Sequence, residues 1–329
     1  MNRQNPRLCF IGGSGRSGTT VLRRIFSRHP DVAGMPEFRI TLDPGGLIDL
    51  YLTLSGQWSP WVFDKKVKEL RNVLLSARRT NPLAKYYRYG LRKTGLAFRG
   101  YKLESKYTDI GIERYCGNYE ELVEELIEEL TGFTYKGSWT GLSLGDKNEI
   151  YFNSPIPREK LGRTLGSFYL RLTRCICARD DRTHFVEDNT WNTIYWKTLL
   201  ELFPEGRLVH IYRDPRDVVA SLTRQWWGPG DPAEAARFYA AVMERWHRVK
   251  KEVPGHSYFE LSLERLVENP AAILGEIAEF WNLGWDDALL SIDLGKANSG
   301  RWKRDIPEER YPEVKEILIP FLEQYGYDY

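Results

Sequence analysis

The sequence predicts an α/β fold in which helices flank a mostly parallel β-sheet. Short apolar runs alternate with segments of helical periodicity, and this alternation is typical of parallel strands joined by crossover helices. The chain has 329 residues, of which 42% are hydrophobic and 28% are charged, so it can bury a large core. We interpret residues 1–329 as a single domain that carries a largely helical insertion at residues 40–183.

The first predicted unit is a strand, a glycine-rich turn and a helix. Leu8-Cys9-Phe10-Ile11 is a short apolar run that ends at two glycines, as a buried parallel strand does. The apolar positions after the turn recur at helical spacing: Val21, Leu22, Ile25 and Phe26. Pro30 ends this predicted helix.

Three later runs predict further strands of the same sheet, and each precedes a helical pattern. They are His184 to Val186, Arg207 to Tyr212 and Tyr258 to Leu261. After the second run, Pro215 stands where a helix often begins.

The segment between residues 64 and 130 has an uneven charge. From Asp64 to Lys106 there are 13 Lys or Arg, whereas Tyr107 to Leu130 holds eight acids and one Arg. We interpret both stretches as amphipathic helical segments with solvated charged faces. The alternative is a helical lobe whose basic face binds an anionic ligand.

Overall charge and cysteine usage restrict the class of protein. Lys plus Arg is 47 and Asp plus Glu is 45, a formal net charge of +2, so we expect no nucleic-acid partner. The four cysteines are Cys9, Cys116, Cys175 and Cys177; they form no CxxC pair, and we expect free thiols. No apolar run is long enough for a signal peptide or a membrane span, so we expect a cytoplasmic protein without a transmembrane segment.

The turn between the first strand and the first helix is a candidate phosphate-binding loop. It reads Gly13-Ser14-Gly15-Arg16-Ser17-Gly18-Thr19-Thr20, and backbone N–H groups at such a turn bind phosphate oxygens. A nucleoside-triphosphate loop of the form GxxxxGK[ST] would carry Lys where Thr19 stands. The residues therefore disfavour ATP or GTP hydrolysis, and Arg16 is the cation that the loop does offer.

Three motifs in order resemble the sulfotransferases that use 3′-phosphoadenosine 5′-phosphosulfate (PAPS), nearest the branch with the tyrosylprotein and many bacterial enzymes. The family's loop [K/R]-[S/T]-G-T-[T/S] is matched by Arg16 to Thr20. Its R-D-P-R motif, with Ser eight residues after the first Arg, is matched by Arg213 to Arg216 and Ser221. Its K-x-x-x-G-x-W-K motif is matched by Lys296, Gly300, Trp302 and Lys303.

The resemblance implies a P-loop-type sheet and transfer of a sulfuryl group from PAPS to a hydroxyl of a small-molecule, lipid or carbohydrate acceptor. The product would be PAP, the desulfated donor, and no metal is implied. The helical insertion at residues 40–183 would lie on the acceptor side. In the family the Arg and Ser of the second motif hold the donor's 3′-phosphate, a role that Arg213 and Ser221 inherit together with Lys296. The implied donor-binding residues are Gly15, Arg16, Ser17, Gly18, Thr19, Thr20, Arg213, Ser221, Lys296, Gly300 and Trp302.

Sulfuryl transfer also needs a base for the acceptor hydroxyl. The related branch places a catalytic Glu two residues before an Arg just after its H-P-x-V segment, and Glu37 with Arg39 matches this arrangement. Arg16 would stabilise charge in the transition state. Asp188 ends a predicted strand where relatives carry another residue, so it is the alternative acid–base candidate.

Two other functions stay open at this point. One is a P-loop kinase or hydrolase, which Thr19 and the lack of a Mg²⁺ carboxylate motif disfavour. The other is a non-catalytic nucleotide- or glycan-binding protein on the same fold, which Asp188 and Leu263 favour because they depart from the family pattern. Trp226 and Trp227 would line a pocket or pack in the core, and the sequence predicts no particular oligomeric state.

Overall fold

The structure is a computed structural model that describes residues 5–35, 38–80, 110–139, 148–295 and 299–328. The chain divides into two compact units. The helical unit comprises Phe38–Arg182 with Met1–Pro6, and the sheet unit comprises Arg7–Glu37 with Thr183–Tyr329. The long segment of the helical unit nearly coincides with the insertion predicted at residues 40–183.

A five-stranded parallel sheet forms the centre of the sheet unit, as predicted. Its strands in spatial order are β2 (Val32–Gly34), β5 (His184–Asp188), β1 (Arg7–Gly13), β6 (Arg207–Tyr212) and β7 (Tyr258–Ser262). In the register of the sheet, Ile11 of β1 lies opposite Asp188 on one side and Val209 on the other. The carboxyl ends of the three central strands therefore lie next to one another.

Helices cover both faces of this sheet. They are α1 (Thr19–Phe26), α6 (Asn192–Leu202), α7 (Pro215–Leu222), α8 (Pro232–Val249), α9 (Leu263–Glu268), α10 (Pro270–Phe280), α11 (Trp302–Asp305) and α12 (Tyr311–Tyr325). Ile11 packs in a buried cluster with Leu22 of α1, whereas the adjacent Phe10 packs on Trp196 of α6 at 5.4 Å between ring centroids. Successive side chains of β1 thus enter opposite cores, which explains its continuous apolar run.

The helical unit contains four α-helices and a hairpin among its described residues. The helices are α2 (Leu47–Gly56), α3 (Pro60–Ser76), α4 (Tyr119–Leu130) and α5 (Arg158–Ala178), and the antiparallel hairpin pairs β3 (Phe133–Gly137) with β4 (Asn148–Phe152). The predicted helical segments are confirmed over α3 and α4; residues 81–109 lie outside the described residues.

The charged faces of these helices pair with each other rather than only facing solvent. Arg71 of α3 donates to Glu124 of α4 at 2.6 Å, and Arg171 of α5 lies 2.8 Å from Glu129. Among the described residues, part of the uneven charge is therefore cancelled where α3 meets α4. Each such half-exposed pair contributes little to stability, roughly 0–1 kcal/mol.

The expectation of four free thiols is wrong for two cysteines. Cys116 and Cys175 form a disulfide with a Cα–Cα distance of 5.4 Å, across a sequence separation of 59 residues. Cys9 and Cys177 are free and buried, as expected. Disulfides persist mainly in oxidising compartments and are rare in the cytosol. This bond therefore gives no support to the cytoplasmic location, which stays a prediction. No helix in the described part of the chain is long and apolar enough to cross a membrane.

Cys116→Ser is expected to lower the free energy of unfolding by about 2–4 kcal/mol, because the bond closes a long loop in the unfolded chain. Wild type under a dithiol reductant should lose the same amount, whereas Cys177→Ser should respond to reductant as wild type does. Thiol titration of the denatured chain should count two groups before reduction and four after it. Equal thermal midpoints with and without reductant would contradict the expectation.

His210 of β6 makes the stability of the sheet unit depend on pH. Its ring is fully buried, with Nδ1 3.0 Å from Thr193 Oγ1 and a stacked contact to Trp246 at 4.8 Å. Burial lowers the pKa of His210 from 6.5 to about 4. The folded chain keeps the ring neutral, so protonation of the unfolded chain below pH 6.5 favours unfolding.

The contribution of His210 to the free energy of unfolding should therefore be fully present above pH 6.5. It should fall by about 1.4 kcal/mol per pH unit as the pH drops from 6.5 toward 4. Denaturant unfolding of wild type and His210→Gln at pH 7 and pH 5 measures the effect. The variant should show a smaller difference between the two pH values, and the exposed His256→Gln should behave as wild type does. An unchanged pH dependence in His210→Gln would show that other groups cause it.

Candidate active site

The candidate site lies at the carboxyl ends of the central strands of the sheet unit. β1 runs into the predicted phosphate loop, β6 ends just before Arg213, and β5 ends at Asp188. The next strands of this sheet after β1, namely β2 and β5, lie toward one edge of the sheet, whereas the later strands β6 and β7 lie toward the opposite edge. Open α/β sheets bind ligands at such a switch point.

The loop after β1 has the backbone conformation of an anion cradle. Gly15, Arg16 and Gly18 have φ values of 81°, 58° and 111°, and Gly18 is the N-cap of α1. A Cβ at Gly18 would lie 3.1 Å from Leu263 Cδ1, so both its φ and its surroundings require glycine. The first turn of α1 holds no acid, which leaves its N–H groups and positive end available to an anion.

A cavity of about 520 Å³ opens beside this loop. Gly18, Thr19 and Thr20 line it together with Ser221. Its cations are Arg16, Arg24, Arg213 and Arg301, and its apolar lining includes Leu263, Val267, Ile292 and Leu294. The cavity thus joins the first and second sequence motifs in one place and combines a strongly basic lining with an apolar one.

Arg16 connects the loop to α7. Its Nε donates to Ser221 Oγ at 3.0 Å. Burial lowers the pKa of Arg16, and the positive charges of Arg301 and Arg213 lower it further. Arg16, Arg213 and Arg301 line the same cavity, and an anion bound there would offset the repulsion that Arg16 experiences.

Asp217 of α7 holds the second and third motifs together. This fully buried carboxylate accepts from the backbone N–H of Gly300 at 2.8 Å and of Trp302 at 3.0 Å. Its Oδ2 also lies 3.2 Å from Nη2 of Arg213. Gly300 has a φ of 75°, which favours glycine at this turn. A single buried acid therefore orients both Arg213 and the Gly300–Trp302 segment.

Trp302, a predicted donor-binding residue, packs beside the cavity rather than lining it. The Arg216 guanidinium lies 4.4 Å from its ring centroid, and Tyr311 stacks on it at 4.8 Å. Arg216 in turn pairs with Asp214 at 2.8 Å. These contacts fix the position of Trp302 at the start of α11.

Of the two acid–base candidates, the structure describes Asp188 but not Glu37. Asp188 is buried at the end of β5 and lies 2.9 Å from Nε of Arg23, and it is not among the described residues that line the cavity. Glu37 lies outside the described residues, as does Lys296. Within the described ranges, no group of three or more His, Cys, Asp or Glu side chains is arranged to hold a metal ion.

The first half of the loop lies against two other segments of the sheet unit. Ser17 is fully buried, and a Cβ added at Gly15 would lie 3.5 Å from Thr190 Cγ2 and 3.7 Å from Trp227 Cη2. Trp227 is 44% exposed and Trp226 is 78% exposed. Both indoles are therefore exposed to solvent, Trp227 next to the loop, and core packing, one of the two alternatives for them, is wrong.

Comparison with known proteins agrees with this geometry. Residues 153–287 match the model of the sulfotransferase family, a region that includes β5, β6 and α7. Over these residues the chain is similar to the sulfotransferase family. The phosphate loop lies outside the matched residues, and the structure brings it next to them because β1 pairs with both β5 and β6.

Two solved sulfotransferase domains share the fold over the whole chain. The domain from the olefin synthase of Synechococcus PCC 7002 is 16% identical with a TM-score of 0.51, and the match covers 100% of this chain and 98% of that domain. The domain from the curacin biosynthetic pathway is 14% identical with a TM-score of 0.51, with 99% of each chain covered. The predicted fold class is confirmed.

One curated relative is a protein of Aquifex aeolicus (strain VF5) described as uncharacterized. It is 27% identical over 186 residues, which is 50% of this chain and 23% of the relative. The match therefore spans about a quarter of that protein's length.

Sequence reasoning missed three charged residues of this candidate site. Arg24 lies one turn after Thr20 on α1 and Asp217 lies one turn after Arg213 on α7, so helical spacing from known motif residues could have found both. Arg301 stands between Gly300 and Trp302 at a position that the third motif leaves unspecified. Only the folded loop reveals its place in the cavity.

Proposed function

We propose that this chain transfers the sulfuryl group of PAPS to a hydroxyl of a small-molecule, lipid or carbohydrate acceptor. The observation that carries the proposal is the cavity in which Arg16, Arg213 and Ser221 meet the phosphate loop. The match of residues 153–287 to the sulfotransferase family model supports the reaction type.

The cavity suits a nucleotide that carries more than one anionic group. Its volume of about 520 Å³ lies within the roughly 300–1,000 Å³ of small-molecule sites. The arginines and the loop N–H groups would bind the anionic groups, and the apolar lining around Leu263 would cover the base. Asp293, which also lines the cavity, would accept hydrogen bonds from a base amine or a ribose hydroxyl.

The residues would act mainly by positioning and by charge stabilisation. Transfer of a sulfuryl group, like that of a phosphoryl group, leaves little covalent chemistry for the protein. Arg16 and the N–H groups of residues 15–20 would stabilise charge on the transferred group and on the departing phosphate oxygen. Arg213 and Ser221 would hold the 3′-phosphate, so that the donor enters in one orientation.

Glu37 is our candidate for the base that accepts the proton of the acceptor hydroxyl. The ion pair of Asp188 with Arg23 supports this choice, because a carboxylate that faces a guanidinium is a weaker base. Asp188 would then anchor α1, through Arg23, to the end of β5.

Glu37→Gln is expected to lower kcat about 100- to 10,000-fold, the range of general base catalysis, while PAP affinity stays within about twofold. Asp188→Asn tests the alternative and should keep most of the turnover. Steady-state rates with the identified acceptor, together with calorimetry of PAP, measure both. Near-normal sulfate transfer by Glu37→Gln would contradict the assignment of the base.

A mass-spectrometric screen tests the proposed reaction. Purified protein, PAPS and an extract of small molecules, lipids and glycans are incubated together, and a matched reaction omits PAPS. We expect at least one compound to gain the mass of one SO₃ group only in the complete reaction. Release of PAP without any sulfated product would contradict sulfuryl transfer to an acceptor.

A further inference from the structure

We propose that Glu264 is a positioning residue that holds the phosphate loop and the turn around Arg213 at a fixed spacing, and that Tyr327 orients its carboxylate. The inference rests on the proposed function and gives a role to two residues that none of the three sequence motifs includes. Both residues would act on the nucleotide through the backbone that presents Arg213.

The carboxylate of Glu264 binds the backbone of residues 212–214, which form the turn between β6 and α7. Its Oε1 accepts the backbone N–H of Asp214 at 3.1 Å, and Asp214 directly follows Arg213. The Asp214 side chain in turn caps α7, because its Oδ1 accepts the N–H of Arg216 at 2.9 Å. Loss of the Glu264 carboxylate would remove the acceptor of this N–H and leave the turn free to shift.

The neighbouring residue Leu263 connects the same short helix to the phosphate loop. Leu263 lines the cavity, and its Cδ1 would lie 3.1 Å from a Cβ at Gly18, the N-cap of α1. Ser262 fixes the start of α9, because its hydroxyl accepts the N–H of Arg265 at 3.1 Å. The start of α9 thus contacts the loop through residue 263 and the β6–α7 turn through residue 264, so it sets the separation of the two.

Two tyrosines on either side of a left-handed glycine support this contact. Gly326 ends α12 with a φ of 71°, a conformation that favours glycine. Before it, the ring of Tyr325 stacks on Tyr212 at 4.2 Å between centroids. After it, the Tyr327 hydroxyl donates to Oε2 of Glu264 at 2.8 Å. One ring therefore packs on the β6–α7 turn while the next hydroxyl orients the carboxylate.

The arrangement explains why nucleotides should differ in their dependence on Glu264. Its two carboxylate oxygens accept from two different segments, and hydrogen bonds to an ionised acceptor are roughly twice as strong as neutral ones. A nucleotide that uses both the loop and Arg213 gains from their fixed spacing, because the turn does not have to be ordered when it binds. A nucleotide that uses only the loop does not.

The test is calorimetric titration with PAP, with displacement of PAP by adenosine 5′-phosphate, which lacks the group that Arg213 would hold. We expect Glu264→Leu to weaken PAP binding about tenfold, the loss of one hydrogen bond to a charged group, and adenosine 5′-phosphate binding by no more than about twofold. Glu264→Gln should recover most of the PAP affinity, because its amide can accept from Asp214 and donate to Tyr327. Tyr327→Phe should weaken PAP binding alone, by about threefold.

Glu260 is the matched control because it is also a partly buried carboxylate with two side-chain donors. It accepts from Trp246 Nε1 at 2.8 Å and from Lys250 Nζ at 3.0 Å, contacts that lead to α8 rather than to the β6–α7 turn. Glu260→Leu should lower the free energy of unfolding, as Glu264→Leu does, and bind both nucleotides as wild type does. Denaturant unfolding of the two variants therefore separates a loss of stability from a loss of positioning.

The outcomes separate this inference from the function on which it rests. If wild type binds no PAP, the proposed function fails and the role of Glu264 fails with it. If wild type binds PAP and Glu264→Leu binds it equally well, or loses both nucleotides to the same degree, only the role of Glu264 is overturned. If Glu264→Leu does not fold, Tyr327→Phe decides, since it removes a single hydroxyl; a PAP affinity equal to that of wild type would then overturn the inference.

Discussion

Arg16→Ala is expected to reduce kcat about a thousand-fold. A single preorganised donor in an active site contributes about 100- to 1,000-fold to kcat, and a catalytic arginine in phosphoryl transfer contributes more. Arg16 is the cation of the phosphate loop, and its contact with Ser221 directs it into the cavity. PAP affinity should fall by no more than about tenfold, because Arg213 and Ser221 still hold the 3′-phosphate. The loss should therefore appear in kcat more than in ligand binding.

Initial rates with PAPS and an acceptor from the screen measure this effect, with PAP calorimetry alongside. Arg16→Lys should recover part of the rate, because it keeps the charge but not the planar set of donors. The exposed Arg28 follows the same helix, and Arg28→Ala serves as the control with wild-type rates. A kcat for Arg16→Ala within tenfold of wild type would contradict the role given to this residue.

Asp217→Ala is expected to abolish measurable PAP binding and to lower the free energy of unfolding by about 3–5 kcal/mol, the cost of removing one partner from a buried ion pair. The change leaves Arg213 without its carboxylate and two backbone N–H groups without their acceptor. The Gly300–Trp302 segment would then lose its attachment to α7. Both effects follow from one side chain that is completely buried.

Denaturant unfolding and PAP calorimetry measure the two effects separately. Asp217→Asn should be milder, because an amide oxygen can still accept one of the two N–H groups. The control is Glu313→Ala, which removes a half-exposed carboxylate paired with Arg237 and should cost less than about 1 kcal/mol. If Asp217→Ala binds PAP as wild type does, the second and third motifs do not depend on this carboxylate.

Four strands of the parallel sheet were predictable because each is a short, mostly apolar run. The patterns at residues 8–11, 184–186, 207–212 and 258–261 all become parallel strands, since burial on both faces leaves a strong local signal. β2 has only three residues, too few for any periodicity. The disulfide was missed because a pairing across 59 residues depends on the folded helical unit and not on local spacing.

The candidate site was predictable where its residues are neighbours in the sequence. The phosphate loop is visible in its glycine spacing, the Arg213–Ser221 motif is visible through its resemblance to the family's motif, and residues of both line one cavity. Arg301 and Asp217 act through contacts between segments more than 80 residues apart, and a single sequence holds no record of such contacts. Likewise, the sequence alone does not show that basic residues of α3 pair with acidic residues of α4.

The most direct test of the central claim is calorimetric titration of the full chain with PAP in the absence of Mg²⁺, beside titrations with ATP in the absence and presence of Mg²⁺. A cavity built around Arg16, Arg213 and Ser221, with Thr19 where a triphosphate loop has Lys, should bind one PAP saturably and show no binding of ATP. Saturable binding of ATP with Mg²⁺ and none of PAP would contradict the account.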